Sequence, residues 1–312
     1  MGRVGELAFK GTEIMTMKKL MAIAVGAMMI AGCTGTKNAA EVGKTGAQLL
    51  KERLDTLKQK GIMYGHQDDP FYGLTWEYQA DSSDVKNVCG EYPAVMGFEL
   101  GGIEMGDEKS LDSVPFTRIT QEVVNHYNRG GIITISWHPR NPVTTIDGGG
   151  PAGEYKALWN MVQDKLIADG FDNIVWAYSP GCQDNLTAER LLDRYPGDDR
   201  VDMLGLDGYQ WVPEEKDAFM ARTKQNLEVL CKVAGEHNLI PALTECGMKN
   251  MTEPTWWTST LLPAVEDYPI SYLLTWRNYK DEWFGPSPSK PDAQYFRDFH
   301  NSDKTLFIND IK

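Results

Sequence analysis

Short, continuous apolar runs alternate with stretches of helical periodicity along most of this chain. The runs at 61–66, 94–100, 132–138, 173–179, 202–207, 240–245 and 271–276 are unbroken, as in strands covered on both faces of a parallel sheet. Between them the spacing changes to that of amphipathic helices. Phe116, Ile119, Val123 and Tyr127 share one face, and Gly130-Gly131 stops that helix. Tyr155, Leu158, Trp159, Val162 and Leu166 form a second such face, and Phe219, Leu227, Leu230 and Ala234 a third. Seven βα units in succession predict a (β/α)-barrel rather than an open doubly wound sheet. No glycine-rich phosphate fingerprint comes after the first strand.

The residues that close each strand sharpen that expectation. His66-Gln67-Asp68-Asp69, Glu99, Trp137-His138, Asp207-Gly208-Tyr209, Glu245 and Trp276-Arg277-Asn278 all stand at or just beyond the C-terminal ends. In a barrel these ends converge on one rim, where catalysis takes place. Six strands ending in polar and aromatic residues therefore predict a site. Asp68 and Asp69 read as loop-capping residues. Cys246 comes directly after Glu245 on its strand, so the two-residue period sends it to the opposite face, into packing.

Composition narrows the partners. The chain has 312 residues and a formal net charge of −13, which argues against a nucleic-acid partner. Nine Trp and 13 Tyr in a polar globular chain suit a flat neutral ligand such as a sugar, beyond what core packing takes. Met17-Lys18-Lys19, an apolar run over 20–31 and a closing Ile30-Ala31-Gly32-Cys33 read as an export signal at 1–32, with 1–16 an over-extended start. That ending resembles a bacterial lipoprotein cleavage site. It implies that Cys33 carries the lipid, that residues 33–45 tether the domain, and that the membrane is met only through this anchor. Whether the periplasmic or the cell-surface face is served stays open. Cleavage removes four basic and two acidic residues, which takes the charge from −13 to −15. No composition break occurs after residue 45, so 46–312 reads as one domain, expected to be a monomer. Cys89, Cys182, Cys231 and Cys246 allow three pairings or free thiols, and no spacing suits a zinc site.

Four motifs, in order along the mature chain, carry a more specific resemblance. YGHQDDPFYG at 64–73, TISWH at 134–138 with NPV at 141–143, ALTECG at 242–247 and LTWRN at 274–278 resemble glycoside hydrolase family 26, and most of all its bacterial endo-β-1,4-mannanases. The resemblance implies a (β/α)8 barrel cleaving β-mannan with retention, by a Glu nucleophile on strand seven and a Glu acid/base on strand four. Glu245 matches the nucleophile's motif. By the same resemblance His138, Tyr209 and Trp276 hold the sugar at the cleavage point, Arg277 and Asn278 contact neighbouring sugars, and His66 is a further substrate-binding residue. No metal or organic cofactor is implied.

One part of the pattern is missing. The family's acid/base lies in an Arg-Pro-x-His-Glu segment, and this chain contains no His-Glu dipeptide. Only thirteen residues, 140–152 with Gly148-Gly149-Gly150-Pro151, separate the third strand from a helix resembling the family's helix after strand four. That is too short for a helix, a strand and their turns. The third helix and fourth strand are therefore expected to be deleted together, leaving a seven-strand or split barrel. Glu154 opens the next helix, where the helix dipole alone favours a carboxylate. Glu99, Asp68, Asp184 and Asp207 are the available substitutes for the acid. The alternative function is a non-catalytic mannan-binding lipoprotein.

Overall fold

The computed structural model describes residues 44–138, 151–168, 170 and 174–312. The export signal, Cys33 and the loop at 139–150 lie outside the described residues.

The chain enters through helix α1 (Gly46–Leu57). Thr45 and Gln48 cap its start reciprocally, each side chain taking the other's backbone N–H. Strand β1 (Ile62–Gln67), short helix α2 (Asp84–Cys89) and β2 (Val95–Glu99) come next. Helix α3 (Phe116–Asn128) buries Phe116, Ile119 and Val123, leaves Tyr127 half-buried, and ends where Gly130 takes φ of +90°. It leads into β3 (Ile132–Ser136), α4 (Ala152–Ala168), β4 (Ala177–Tyr178) and one-turn α5 (Ala188–Leu191). The order continues with β5 (Met203–Gln210), α6 (Lys216–Glu236), β6 (Ile240–Met248), α7 (Leu262–Val265) and β7 (Tyr272–Thr275). A small hairpin, β8 (Asn278–Tyr279) with β9 (Glu282–Trp283), precedes α8 (Ala293–His300) and β10 (Thr305–Leu306).

All seven expected strands are present and parallel, in the order β3-β2-β1-β7-β6-β5-β4. The fourth is shorter than its apolar run suggests. β10 has no counterpart among the expected strands; it pairs with the start of β1. The two ends of the order are β3 and β4, which share no ladder among the described residues. Of the two closures expected, the split barrel is therefore the one observed. The opening lies where the fourth strand of a full barrel would stand.

Apolar residues divide between the two faces of this curled sheet. Met63, Val95, Met203, Tyr272 and Leu274 meet Leu54 and Leu57 of α1, which plugs the bottom. Their neighbours Tyr64, Leu204, Leu243 and Leu273 turn outward to Phe219, Leu227, Leu230 and Ala234 of α6 and to the aromatic layer of Trp257, Phe296 and Phe299. Helix α4 is the exception. Only Gln163 and Leu166 of it are buried, while Tyr155, Trp159 and Val162 stay partly exposed. Its apolar face is periodic and packs on β4 and the residue before it, Tyr155 on Tyr178 at 6.2 Å and Trp159 on Trp176 at 5.7 Å, while among the described residues no strand pairs with the free side of β4.

Strand β6 carries an irregularity that matters for function. Against β5 the register runs Gly205↔Ala242 and then Asp207↔Glu245; against β7 it runs Leu243↔Leu273 and then Cys246↔Thr275. Both neighbours thus oppose two steps of backbone to three of β6, which is a β-bulge at 243–245. It lets the consecutive side chains Thr244 and Glu245 both reach polar partners at the rim, while Cys246 is fully buried in the outer layer.

A candidate active site at the strand ends

The bulge presents Glu245 half-buried, with Oε1 accepting a hydrogen bond from the hydroxyl of Tyr209. Tyr209 lies two residues beyond Asp207, the register partner of Glu245, so both residues of β5 flank the carboxylate. The Tyr209 ring meets Trp276 at a centroid distance of 6.3 Å and 75°, and Phe284 packs under both at 5.3 and 5.1 Å. Trp211, 50% exposed, stacks on the other side of Tyr209 at 5.1 Å and 29°. The carboxylate and these rings share one wall.

Burial raises the Glu245 carboxyl above its ordinary range, while the Tyr209 hydroxyl and the charge of His138 pull it down. Asp207 is raised well above its ordinary value, first by burial and then by the Glu245 charge. Its Oδ1 accepts from Thr244 Oγ1 at 2.9 Å and Ser179 Oγ at 3.2 Å. Acceptor or donor atoms of His138, Asp207 and Glu245 all lie within 4.8 Å of one another, a spacing at which charges couple strongly.

Facing this wall, from β2 and β3, is a second pair. Glu99 is 3% exposed, yet it accepts from His138 Nδ1 at 2.6 Å, the His138 backbone N–H at 3.1 Å, Ser136 Oγ at 2.7 Å and the Gly101 N–H. Gly101 is required there: a Cβ would lie 2.6 Å from Glu99 Oε1. Burial alone would raise Glu99, but the hydrogen bond and charge of His138 outweigh it and hold the carboxyl below its usual range. The same bond, opposed by burial and aided by the charges of Glu99, Glu245 and Asp207, lifts His138 to about 10. His138 is thus an exposed imidazolium on a buried carboxylate.

The remaining expected residues are placed differently. His66 is buried, bonded through Nδ1 to Thr275, and held neutral by burial, which lowers it to about 4. Asn278 is buried too, its amide spent on Asp84, Pro286 and the N–H groups of Phe284 and Gly285. Arg277 is half-buried against Asp112 at 3.0 Å, and Asp112 also accepts from Trp276 Nε1 at 3.3 Å. Among the substitutes for the acid, three are excluded by placement. Asp68 is fully buried and receives the Tyr72 hydroxyl, Glu99 is an ionised acceptor, and Asp184 is 84% exposed near Arg222. The four cysteines within the described residues are free thiols.

Sequence reasoning did not anticipate Asp112, Ser136, Ser179, Thr244 or Trp211 as parts of this site. Asp112 stands in a loop distant in sequence from Trp276, and nothing in its local pattern separates it from other loop acids. Trp211 was the more legible, since it lies beyond Tyr209 by the two-residue period of a strand.

A split parallel barrel with a carboxylate and aromatic rings at its C-terminal rim defines a (β/α)-barrel of the enzyme type. The chain belongs to glycosyl hydrolase family 26, whose family model matches residues 39–153 and 147–300. The two matched stretches meet at the short loop where the missing helix and strand would lie. The structure is similar to that of a GH26 β-mannanase from Bacteroides ovatus, with 34% identity and a TM-score of 0.79 over 86% of this chain and 96% of that one. A Cellulomonas fimi endo-β-1,4-mannanase shares the fold at 23% identity and a TM-score of 0.72, over 85% and 76% of the two chains. Among curated proteins, a mannan endo-1,4-β-mannosidase of Bifidobacterium adolescentis is 24% identical over 72% of this chain. The chain spans 30% of that relative's length and 6% of endoglucanase H of Acetivibrio thermocellus, which matches over 57 residues.

Proposed function

We propose that this protein is a retaining glycoside hydrolase of β-1,4-mannans, with Glu245 as nucleophile. The observation that carries the reading is the placement of the Glu245 carboxylate. It stands at a barrel rim, oriented by the Tyr209 hydroxyl and beside the Trp276 ring, in a chain of family 26. In the first step Glu245 attacks the anomeric carbon and forms a glycosyl ester, which water then hydrolyses. Tyr209 keeps the attacking oxygen aimed, and Trp276 offers a flat face to sugar C–H groups. Arg277, through Asp112, fixes the edge of that platform. His66 and Asn278 shape the floor beneath it.

The test is product release from purified protein. Manno-oligosaccharides should appear from linear mannan, galactomannan or glucomannan, and Glu245→Ala should abolish them. Calorimetric binding of mannohexaose with no hydrolysis of any substrate would instead establish the mannan-binding protein. Export and lipid anchoring at Cys33 belong to the same reading, supported by the basic and apolar run before it. Palmitate labelling lost on Cys33→Ala tests them.

A further inference from the structure

The deletion that opens the barrel removes the strand carrying the family's proton donor, yet hydrolysis of a sugar–sugar bond needs one. We propose that His138, seated on Glu99, donates the proton to the glycosidic oxygen in place of the deleted acid. The inference rests on Glu245 being the nucleophile.

Placement comes first. A retaining enzyme sets its donor about 5–5.5 Å from its nucleophile, on the leaving group's side. A ring nitrogen of His138 lies within 4.8 Å of a Glu245 oxygen. His138 lies just beyond β3, the strand at the opening, four places from β6 in the sheet order, so it faces Glu245 from the side where the missing strand would stand. Asp207 is the rival at the same distance. It comes from β5, adjacent to β6, and approaches from the nucleophile's own side, with one oxygen already taken by Thr244 and Ser179.

Access and charge agree with placement. The His138 side chain is 53% exposed, whereas Glu99 beneath it is 4% exposed. The groups facing the imidazole are Glu99 from β2, Asp207 from β5 and Glu245 from β6, all of which favour its protonated form. Nδ1 is fixed on Glu99, so Nε2 is the nitrogen left for the substrate.

The step balances. Glu245 forms its bond to the anomeric carbon as the bond to the leaving oxygen breaks, and that oxygen takes the proton from Nε2. Neutral His138 then removes a proton from water as the water oxygen attacks the ester, which restores both the imidazolium and the Glu245 carboxylate.

The experiment compares two leaving groups on full-length protein: manno-oligosaccharide, which needs protonation, and a dinitrophenyl β-mannobioside, which does not. On the pH plateau, His138→Gln should lower kcat/KM on the oligosaccharide by about 10²–10⁴-fold more than on the aryl substrate, whose loss reports only the altered charge beside Glu245. Glu99→Gln, a change to a positioning residue, should move the alkaline limb of the oligosaccharide pH profile toward neutrality and leave the aryl profile's alkaline side unmoved. Equal losses on both substrates overturn the proposal, as does a leaving-group-selective loss in Asp207→Asn instead. Aryl turnover that depends on Glu245 without any oligosaccharide hydrolysis overturns the proton donor while leaving the nucleophile standing. No Glu245-dependent turnover of either substrate overturns both.

Discussion

Tyr209 and Glu245 stand on adjacent strands two residues out of register, and the hydroxyl of the first donates to the carboxylate of the second. The bond exists because the bulge in β6 brings Glu245 to the rim beside a tyrosine that the two-residue period of β5 places on the same side. It also opposes the burial that would otherwise protonate the carboxyl.

Tyr209→Phe removes a hydrogen bond to a charged group, worth about 1.5–3 kcal/mol. Activity on the aryl mannoside should fall by about 10- to 150-fold. Because the hydroxyl lowers the Glu245 pKa and the carboxylate must be ionised to attack, the acidic limb should move to higher pH. An unchanged limb would show that this bond does not tune the nucleophile.

Trp276 supplies the flat face of the site, propped by Phe284 below and tied by its Nε1 to Asp112. Trp276→Ala should weaken mannohexaose binding by about 2 kcal/mol or more, as truncation of a central aromatic does. Asp112→Asn keeps an acceptor for the indole but loses the charge facing Arg277, and should cost less. Calorimetry on the Glu245→Ala background separates the two without turnover.

Three of the five histidines should titrate away from the ordinary imidazole range, two of them together on the acid side and one on the alkaline side. Burial holds His66 and His126 neutral down to about pH 4, whereas His138 stays protonated to about pH 10. The signs for stability are opposite. The raised pKa of His138 contributes stability that is complete below about pH 6.5 and is lost as pH rises toward 10. Glu99, held low, contributes above its unfolded value and loses this as pH falls through its folded one. The buried pair of neutral imidazoles costs stability as pH falls from about 6.5 to 4, because only the unfolded chain takes up their protons. Imidazole NMR checks the order. Melting should show the Tm gap between wild type and His138→Gln widest near about pH 5–6 and narrowing above about pH 8.

Strand β3 ends the sheet order with Ile135 41% exposed beside the opening. An apolar edge strand of this kind is a template for pairing with a second chain. Ile135→Lys removes that apolar edge, and an equal light-scattering mass for variant and wild type at every concentration would show that β3 pairs with no second chain.

Much of this architecture was legible. The seven strands come from unbroken apolar runs, and the outward turn of Cys246 and the faces of α3 and α6 from period, because burial of apolar side chains repeats with the backbone geometry that buries them. Even the missing strand could be read, since thirteen residues cannot hold a helix and a strand. The weak burial of α4 could not, because its sequence keeps the full stripe of a helix that, among the described residues, meets the sheet only at its edge strand β4.

By itself the sequence determined the order of elements, the rim on which chemistry would gather and the carboxylate at 245, since these depend on local spacing and chain length. Only the tertiary structure decided that the sheet stays split rather than closing on seven strands, which depends on whether β3 and β4 can meet in register. It alone joined Glu99 to His138 and Asp112 to Trp276, pairs 39 and 164 residues apart. Their polar groups meet through space, and proximity of that kind leaves no period in the chain.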